Sequence, residues 1–301
     1  MTDKPAAIES RVAQILALEN MEGVGRVTTR KILEQFGTLA EVRRFPREQI
    51  LNRLHRVPQA AKLADRLLNE ELVTEALADA EKTIGELARR QVTVITSGDE
   101  IWPAGMDDLP NAHRPNALFA YGNLKLLGES SVAILGSAPV EPEPFEAAQT
   151  LARRLAGEGM IVSCSASDGL DNVITKILLS KDGLPLLVAG CGLAKVAPSL
   201  RPAVSASVKA GGLLVSSFLM QHGPFDHDVR ERMLVQAALS KAAVFIEPRE
   251  GGFGWDALEW SLESGKPVFA LTKESLPDRV HIIRDELDMD WVLAAMKHVP
   301  E

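Results

Sequence analysis

Ser131-Val132-Ala133-Ile134-Leu135-Gly136-Ser137 is a short apolar run that ends in a glycine turn. Downstream, Met160-Ile161-Val162 runs into Ser163-Cys164-Ser165-Ala166-Ser167-Asp168-Gly169-Leu170-Asp171. Each run precedes a stretch with helical spacing. Two strand, glycine-loop, helix junctions in tandem predict a parallel α/β sheet with its loops at the strand C-termini. Such loops aim backbone N–H groups at phosphates and other anions. A nucleotide or a nucleic-acid backbone is therefore the expected ligand class.

The pattern continues on both sides of this core. Strands are predicted over Val132–Leu135, Met160–Val162, Leu186–Ala189, Gly212–Val215, Ala243–Ile246 and Val268–Leu271. Helices are predicted over Phe145–Gly157, Leu170–Ser180, Ser205–Ala210, Val229–Ser240 and Trp255–Ser264. The alternation implies a doubly wound parallel sheet of extended Rossmann-like type. Its strand ends carry Gly136, Ser137, Ser163, Cys164, Gly190, Cys191, Gly192, Ser216, Ser217, Glu247 and Gly251-Gly252-Phe253-Gly254. Small residues there allow close approach of a ligand. The G-x-G-x-x-G fingerprint is absent, which argues against a nicotinamide-dependent oxidoreductase.

Before the sheet, Ile8 to Arg90 reads as helical. Within it, Gly23-Val24-Gly25 separates two helical segments and resembles the hairpin of a helix-hairpin-helix motif. Glycines let that backbone turn tightly toward a phosphate. Gly23, Gly25, Arg26, Thr28, Arg30 and Lys31 are the candidate contacts. The expected organisation is a small all-helical domain over 1–90, an extended lead-in over 91–130 and a Rossmann-like domain over 131–301.

Composition limits the alternatives. The chain has 301 residues, 46% hydrophobic and 25% charged, with a net charge of −8. No apolar run approaches the ~18 residues of a membrane span, and Met1-Thr2-Asp3-Lys4-Pro5 does not read as a signal peptide. Two cysteines, Cys164 and Cys191, give no disulfide framework, so a cytoplasmic location is expected. The charge is uneven. Residues 22–66 carry ten basic and five acidic side chains, whereas residues 93–301 have a net charge of −9. His222-Gly223-Pro224-Phe225-Asp226-His227-Asp228 reads as a polar loop or a metal-ligand set. Trp255 and Trp260 read as core residues or base-stacking ones.

Taken in order, these segments resemble the DNA-processing protein A (DprA/Smf) family over nearly the whole chain. Trp102-Pro103 through Gly122-Asn123 resembles its "YP..L…P..L...GN" lead-in, and Val132–Ser137 its "VAIVGSR". Ser163–Asp171 resembles "SGLARGID", and Gly190–Leu193 "G.GLD". Ser216 resembles the start of "SE.P", and Arg232–Ser240 "RNRIIAGLS". Val244–Glu247 resembles "VVVEA", and Gly265–Ala270 "GR.VFAVPG". The resemblance implies a non-enzymatic protein, with no cofactor, that binds single-stranded DNA and assists RecA-type recombination in natural transformation. It also implies a homodimer, and a DNA pocket at Gly136, Ser137, Ser163, Ala166, Gly169, Asp171, Arg232 and Lys266.

Departures fall on the binding loops. The arginine of "GSR" is Ala138, and the basic position before "GID" is Ser167-Asp168. Met233 and Leu234 replace the last two residues of "RNR". Lost arginines remove charge-assisted phosphate contacts. Two other readings stay open. Gly251–Gly254 with Glu259 faintly resembles a "GG.GT..E" signature, which would make the chain a nucleotide-binding or nucleotide-hydrolysing relative. The alternative is a scaffold that kept the fold and lost the ligand.

Overall fold

The computed structural model describes residues 10–136 and 139–297. The chain forms two compact units, Met1–Ser97 with Arg114–Ala117, and Gly98–His113 with Leu118–Glu301. The segment 91–130 is thus divided between them.

The first unit holds helices α1 (Arg11–Glu19), α2 (Arg26–Phe36), α3 (Leu39–Val42), α4 (Arg47–Arg53), α5 (Ala60–Leu68) and α6 (Glu70–Arg89), then strand β1 (Val92–Thr96). Side-chain caps set several starts. Ser10 accepts from the Ala13 N–H, Thr38 and Glu41 form a reciprocal capping box, and Asn69 accepts from the Leu72 N–H. Each cap satisfies a donor that the first helical turn leaves unpaired. Leu16, Ile32, Leu39, Ile50, Leu54 and Leu67 are fully buried in this unit.

The second unit carries β2 (Ala117–Gly122), β3 (Ser131–Gly136), β4 (Ile161–Ser165), β5 (Leu184–Val188), β6 (Leu213–Ser216), β7 (Ala242–Ile246), β8 (Val268–Leu271) and β9 (His281–Ile282). Between them run α7 (Pro142–Gly157), α8 (Leu170–Leu179), α9 (Arg201–Lys209), α10 (Asp228–Ala238), α11 (Trp255–Glu263) and, last, α12 (Met289–Lys297). These strands lie in the order β2-β6-β5-β4-β3-β7-β8-β9. All neighbours are parallel except β2 on β6. From β6 to β9 this is the doubly wound arrangement, with the chain reversing its direction of travel between β3 and β7. Helices cover both faces, so the central strands are buried throughout rather than alternating between buried and exposed. Every residue of β4 and β7 is buried.

The predicted elements recur in order, with β9 and α12 following them, and three differences in extent or role bear on the sheet. β4 continues to Ser165 instead of ending at Val162, because Ser163, Cys164 and Ser165 pair with Leu186, Leu187 and Val188 of β5. Pairing uses the backbone, so small polar side chains do not stop it. α9 begins at Arg201, with proline in its first turn where no N–H is needed. The lead-in is an integral strand: Phe119–Gly122 pair antiparallel with Ser216–Leu213.

One irregularity shapes the sheet. β3 pairs with β4 only from Ser131↔Ile161 to Ala133↔Ser163. Yet β3 stays on β7 to Gly136, and β4 stays on β5 to Ser165. The two strands therefore part at their C-terminal ends. Gln236 of α10 bridges the fork, its buried Nε2 donating to Ile134 O (2.9 Å) and Ser163 O (3.0 Å).

Candidate nucleic-acid interface

A cleft of about 620 Å³ opens over the C-terminal ends of β3, β4 and β5. It gathers five of the expected pocket residues, Gly136, Ala166, Gly169, Asp171 and Arg232. Ser163 is not on it. That side chain lies within β4, fully buried, and its hydroxyl makes no hydrogen bond. Lys266 is also elsewhere. Its Nζ donates to Ala237 O, Ala238 O and Ser240 O at the C-terminal end of α10, and it sits 5.0 Å from the Trp260 ring centroid. Burial pulls its pKa down to about 8. Ser137 and Ala138 lie outside the described residues.

Arg232 is 5% exposed. One of its N–H groups, on Nη1, donates to Gln236 Oε1 at 3.1 Å. That is its one hydrogen bond among the described residues, so the rest of the fork is unsaturated and lines the cleft. α10 supplies this side chain from beneath, one turn after its N-terminus. Burial lowers the guanidinium pKa, opposed by the charge of Asp171.

Asp171 faces the same cleft and is 6% exposed. Its carboxylate closes the loop before α8, accepting from Ser165 N at 3.0 Å and Ser167 Oγ at 2.7 Å. Burial raises its pKa, and Arg232 and these hydrogen bonds only partly offset that. Gly169, with φ +75°, caps α8 without a side-chain bond, so the helix presents its first-turn amides, which favour an anion. Ser165 lines the cleft as well, with a buried hydroxyl that bonds nothing.

The lining also includes exposed Lys195, which sequence reasoning missed, and the carboxylates of Asp168 and Asp226. The cleft is therefore not a basic trough. Two cations, Arg232 and Lys195, face three acidic side chains.

Neither cysteine suits nucleophilic chemistry. Burial pushes the Cys164 thiol up to about 12, and burial also raises Cys191. Among the described residues, no three His, Cys, Asp or Glu side chains are grouped to hold a metal. His222 instead pairs with Asp228 Oδ2 at 2.9 Å, and His227 lies 3.4 Å from Oδ1. Trp260 is a core residue whose Nε1 donates to Asp108 O. Trp255 is half-buried, with its Nε1 on Glu259 Oε1 at 2.8 Å.

In the first unit the expected hairpin is present. Gly23 adopts φ +82° and Gly25 precedes the first residue of α2, Arg26. Thr28 and Lys31 are half-buried on that helix. Arg30 is committed internally: its Nη1 donates to Arg114 O (2.7 Å) and Asn116 Oδ1 (2.9 Å). Asn116 Nδ2 in turn donates to Glu19 Oε1 and Arg26 O. Burial lowers the Arg30 pKa.

The sequence profile of the family described as DNA recombination-mediator protein A matches residues 93–283. Protein Smf of Escherichia coli (strain K12) is 27% identical over 179 residues, 59% of this chain and 47% of Smf. DNA processing protein DprA of Streptococcus pneumoniae (strain ATCC BAA-255 / R6) is 25% identical over 173 residues, 58% of this chain and 60% of that protein. The chain thus spans about half the length of the curated relatives it matches. The X-ray structure of DprA from Streptococcus pneumoniae superposes with a TM-score of 0.61 at 18% identity, covering 92% of this chain and 99% of that one. DprA from Helicobacter pylori, whose structure is described as giving insight into its single-stranded DNA binding mode, superposes at 0.56 and 20% identity. It covers 68% of this chain and 96% of its own. At these identities the structural likeness establishes the fold.

Proposed function

The chain belongs to the family of DNA recombination-mediator protein A, and from that premise we propose that it binds single-stranded DNA in the cleft over β3, β4 and β5. In this reading it acts without catalysing a reaction and passes the strand to a RecA-type recombinase, working as a pair of copies.

Arg232 carries the reading. A guanidinium held almost out of water, with most of its donors unsatisfied, is costly unless a second anion completes it. A backbone phosphate supplies the planar pairing its fork favours. The open N-terminus of α8 adds a second attraction for the same charge. Hydrogen bonds to a charged group contribute about 1.5–3 kcal/mol each.

The test is the anisotropy of a labelled oligothymidylate at low salt. The wild-type chain is expected to bind with the protein in the micromolar range. Arg232→Met is expected to weaken binding at least about ten-fold, the effect of roughly 1.4 kcal/mol, at an unchanged melting temperature for the oligonucleotide-free protein or after correction for its change. No binding by the wild type under these conditions overturns the proposal.

A second reading rests on a smaller cavity of about 130 Å³ beside the cleft, where the sheet reverses. Gly136, Gly252 and Gly254 line it at the start of α11, which suits the phosphate of a mononucleotide. That reading predicts a rise in melting temperature with a nucleoside monophosphate. A flat response across a nucleotide panel removes it.

A further inference from the structure

Two of the nine phenylalanines in the chain are largely exposed, Phe225 at 53% and Phe253 at 39%. Both line the cleft that holds Arg232. Isolated apolar side chains on a protein surface are ordinary. Two aromatic rings at the rim of one cleft, each fixed by its own surroundings, are a different observation.

Strand order places them apart. Phe225 lies on the loop between β6 and α10, and Phe253 on the loop between β7 and α11. In the sheet, β6 and β7 flank the run β5-β4-β3 on either side. All five strands are parallel, so both loops leave from the edge on which the cleft opens. Four strand spacings separate their strands, about 19 Å. The two loops thus leave the sheet well apart, on either side of the three strands whose ends carry the cleft. They stand at two ends of a path with Arg232 between them.

Each ring is held in place. Phe225 lies 5.4 Å from His227 in a stacked arrangement and 5.3 Å from His222 edge-to-face, and His222 stacks on buried Phe218 at 4.7 Å. Asp228, itself buried, fixes the loop by pairing with both histidines and accepting the Phe225 N–H at 3.3 Å. On the other side, Arg230 lies 5.8 Å from the Phe253 ring centroid. That arginine is anchored to Asp256 Oδ2 and Gly251 O, both at 2.8 Å. Side chains already ordered lose little freedom when a flat partner arrives.

We infer that Phe225 and Phe253 are base-stacking platforms at the two ends of a single-strand path that crosses the cleft over Arg232. The inference rests on the single-stranded DNA reading above and assigns it two further contacts. Stacking on a ring requires a base free of its helical neighbours, so the site selects single strands over duplex. Every base has a stacking face, so it does so without reading sequence. The same contacts help offset the scarcity of cations in the cleft, since stacking needs no charge.

The experiment measures binding of a labelled oligothymidylate, and of the same strand carrying abasic sites, to the whole chain and to Phe225→Leu, Phe253→Leu and the double variant. Each leucine is expected to weaken binding about five-fold or more. The abasic strand is expected to bind the wild type as weakly as the intact strand binds the double variant. Phe225→Trp and Phe253→Trp are expected to retain wild-type affinity, which separates stacking from a folding defect. Equal affinity of the wild type for intact and abasic strands, or leucine variants that bind as the wild type does, overturns the stacking role and leaves the phosphate reading standing. Failure of the wild type to bind either strand overturns both.

Discussion

Asp171 and Arg232 share one buried neighbourhood, and their balance sets how the cleft treats an anion. The Asp171 carboxylate competes with an incoming phosphate for the same guanidinium. Replacing it by Asp171→Asn keeps an acceptor for Ser165 N and places a donor beside Ser167 Oγ. The expected outcome is tighter binding of single-stranded DNA at neutral pH, by about three-fold or more, checked by anisotropy. Burial raises the carboxyl pKa, so its proton is taken up more readily as pH falls, and a bound phosphate promotes that uptake. Wild-type affinity is therefore expected to rise on acidification from pH 7, while Asp171→Asn flattens that rise; parallel curves for the two proteins contradict it. Lys195, Asp168 and Asp226 line the same cleft and are common to both proteins, so the comparison isolates position 171. A second expectation concerns Cys164. A buried thiol with its pKa near 12 yields little thiolate at pH 8, so an aromatic disulfide reagent is expected to leave it unmodified until the chain is denatured. At this scale, pocket residues that the family resemblance implied came together in part, as Gly136, Gly169 and Asp171 do. Ser163 and Lys266 did not, because position along a chain does not say which way a side chain points. Gln236 gave no signal at all: a glutamine on an apolar helix becomes informative only when the strands it bridges are known.

Elements hold the cleft by close approach of backbones and by caps. Gly192 follows β5 with an ordinary negative φ, yet a Cβ there would meet the carbonyl oxygens of Leu219 and Met220. Gly23 needs its positive φ but has open space around it. Gly192→Ala is therefore expected to cost about 3 kcal/mol or more, an overpacking penalty. Gly23→Ala is expected to cost only about 1–2 kcal/mol of left-handed strain. Urea denaturation of the two variants distinguishes them, and equal losses would contradict the packing account. Lys266 seals the last carbonyls of α10, the helix that bears Arg232 and Gln236. Lys266→Met is expected to destabilise the chain by about 2 kcal/mol through loss of charged hydrogen bonds, while the cleft side chains stay unchanged. The type and order of these elements were legible from hydrophobic spacing. Their ends were less so, since Ser163–Ser165 look like a loop in sequence and form a strand through pairing with β5.

For the molecule as a whole, charge and fold point in different directions. Residues 93–301 are strongly acidic in sum while residues 22–66 are basic. Binding that depends on few phosphate contacts has a shallow salt dependence, about −0.7 in log–log slope for each contact on a single strand. Arg232→Met is expected to reduce the slope by about one contact, and neutralising Arg26 and Lys31 by up to two, without changing preference among sequences. A slope untouched by either change assigns the phosphates to other residues. The sheet itself explains how a chain without the expected arginines still has a cleft. The opening arises where β3 and β4 diverge, and Gln236 closes the underside of that fork through main-chain carbonyls. A cavity made by diverging backbones places few demands on the side chains that rim it. Substitution along the rim can then retune, weaken or exchange what is bound while the opening persists, so this architecture permits drift in ligand preference without any intermediate that has lost its site.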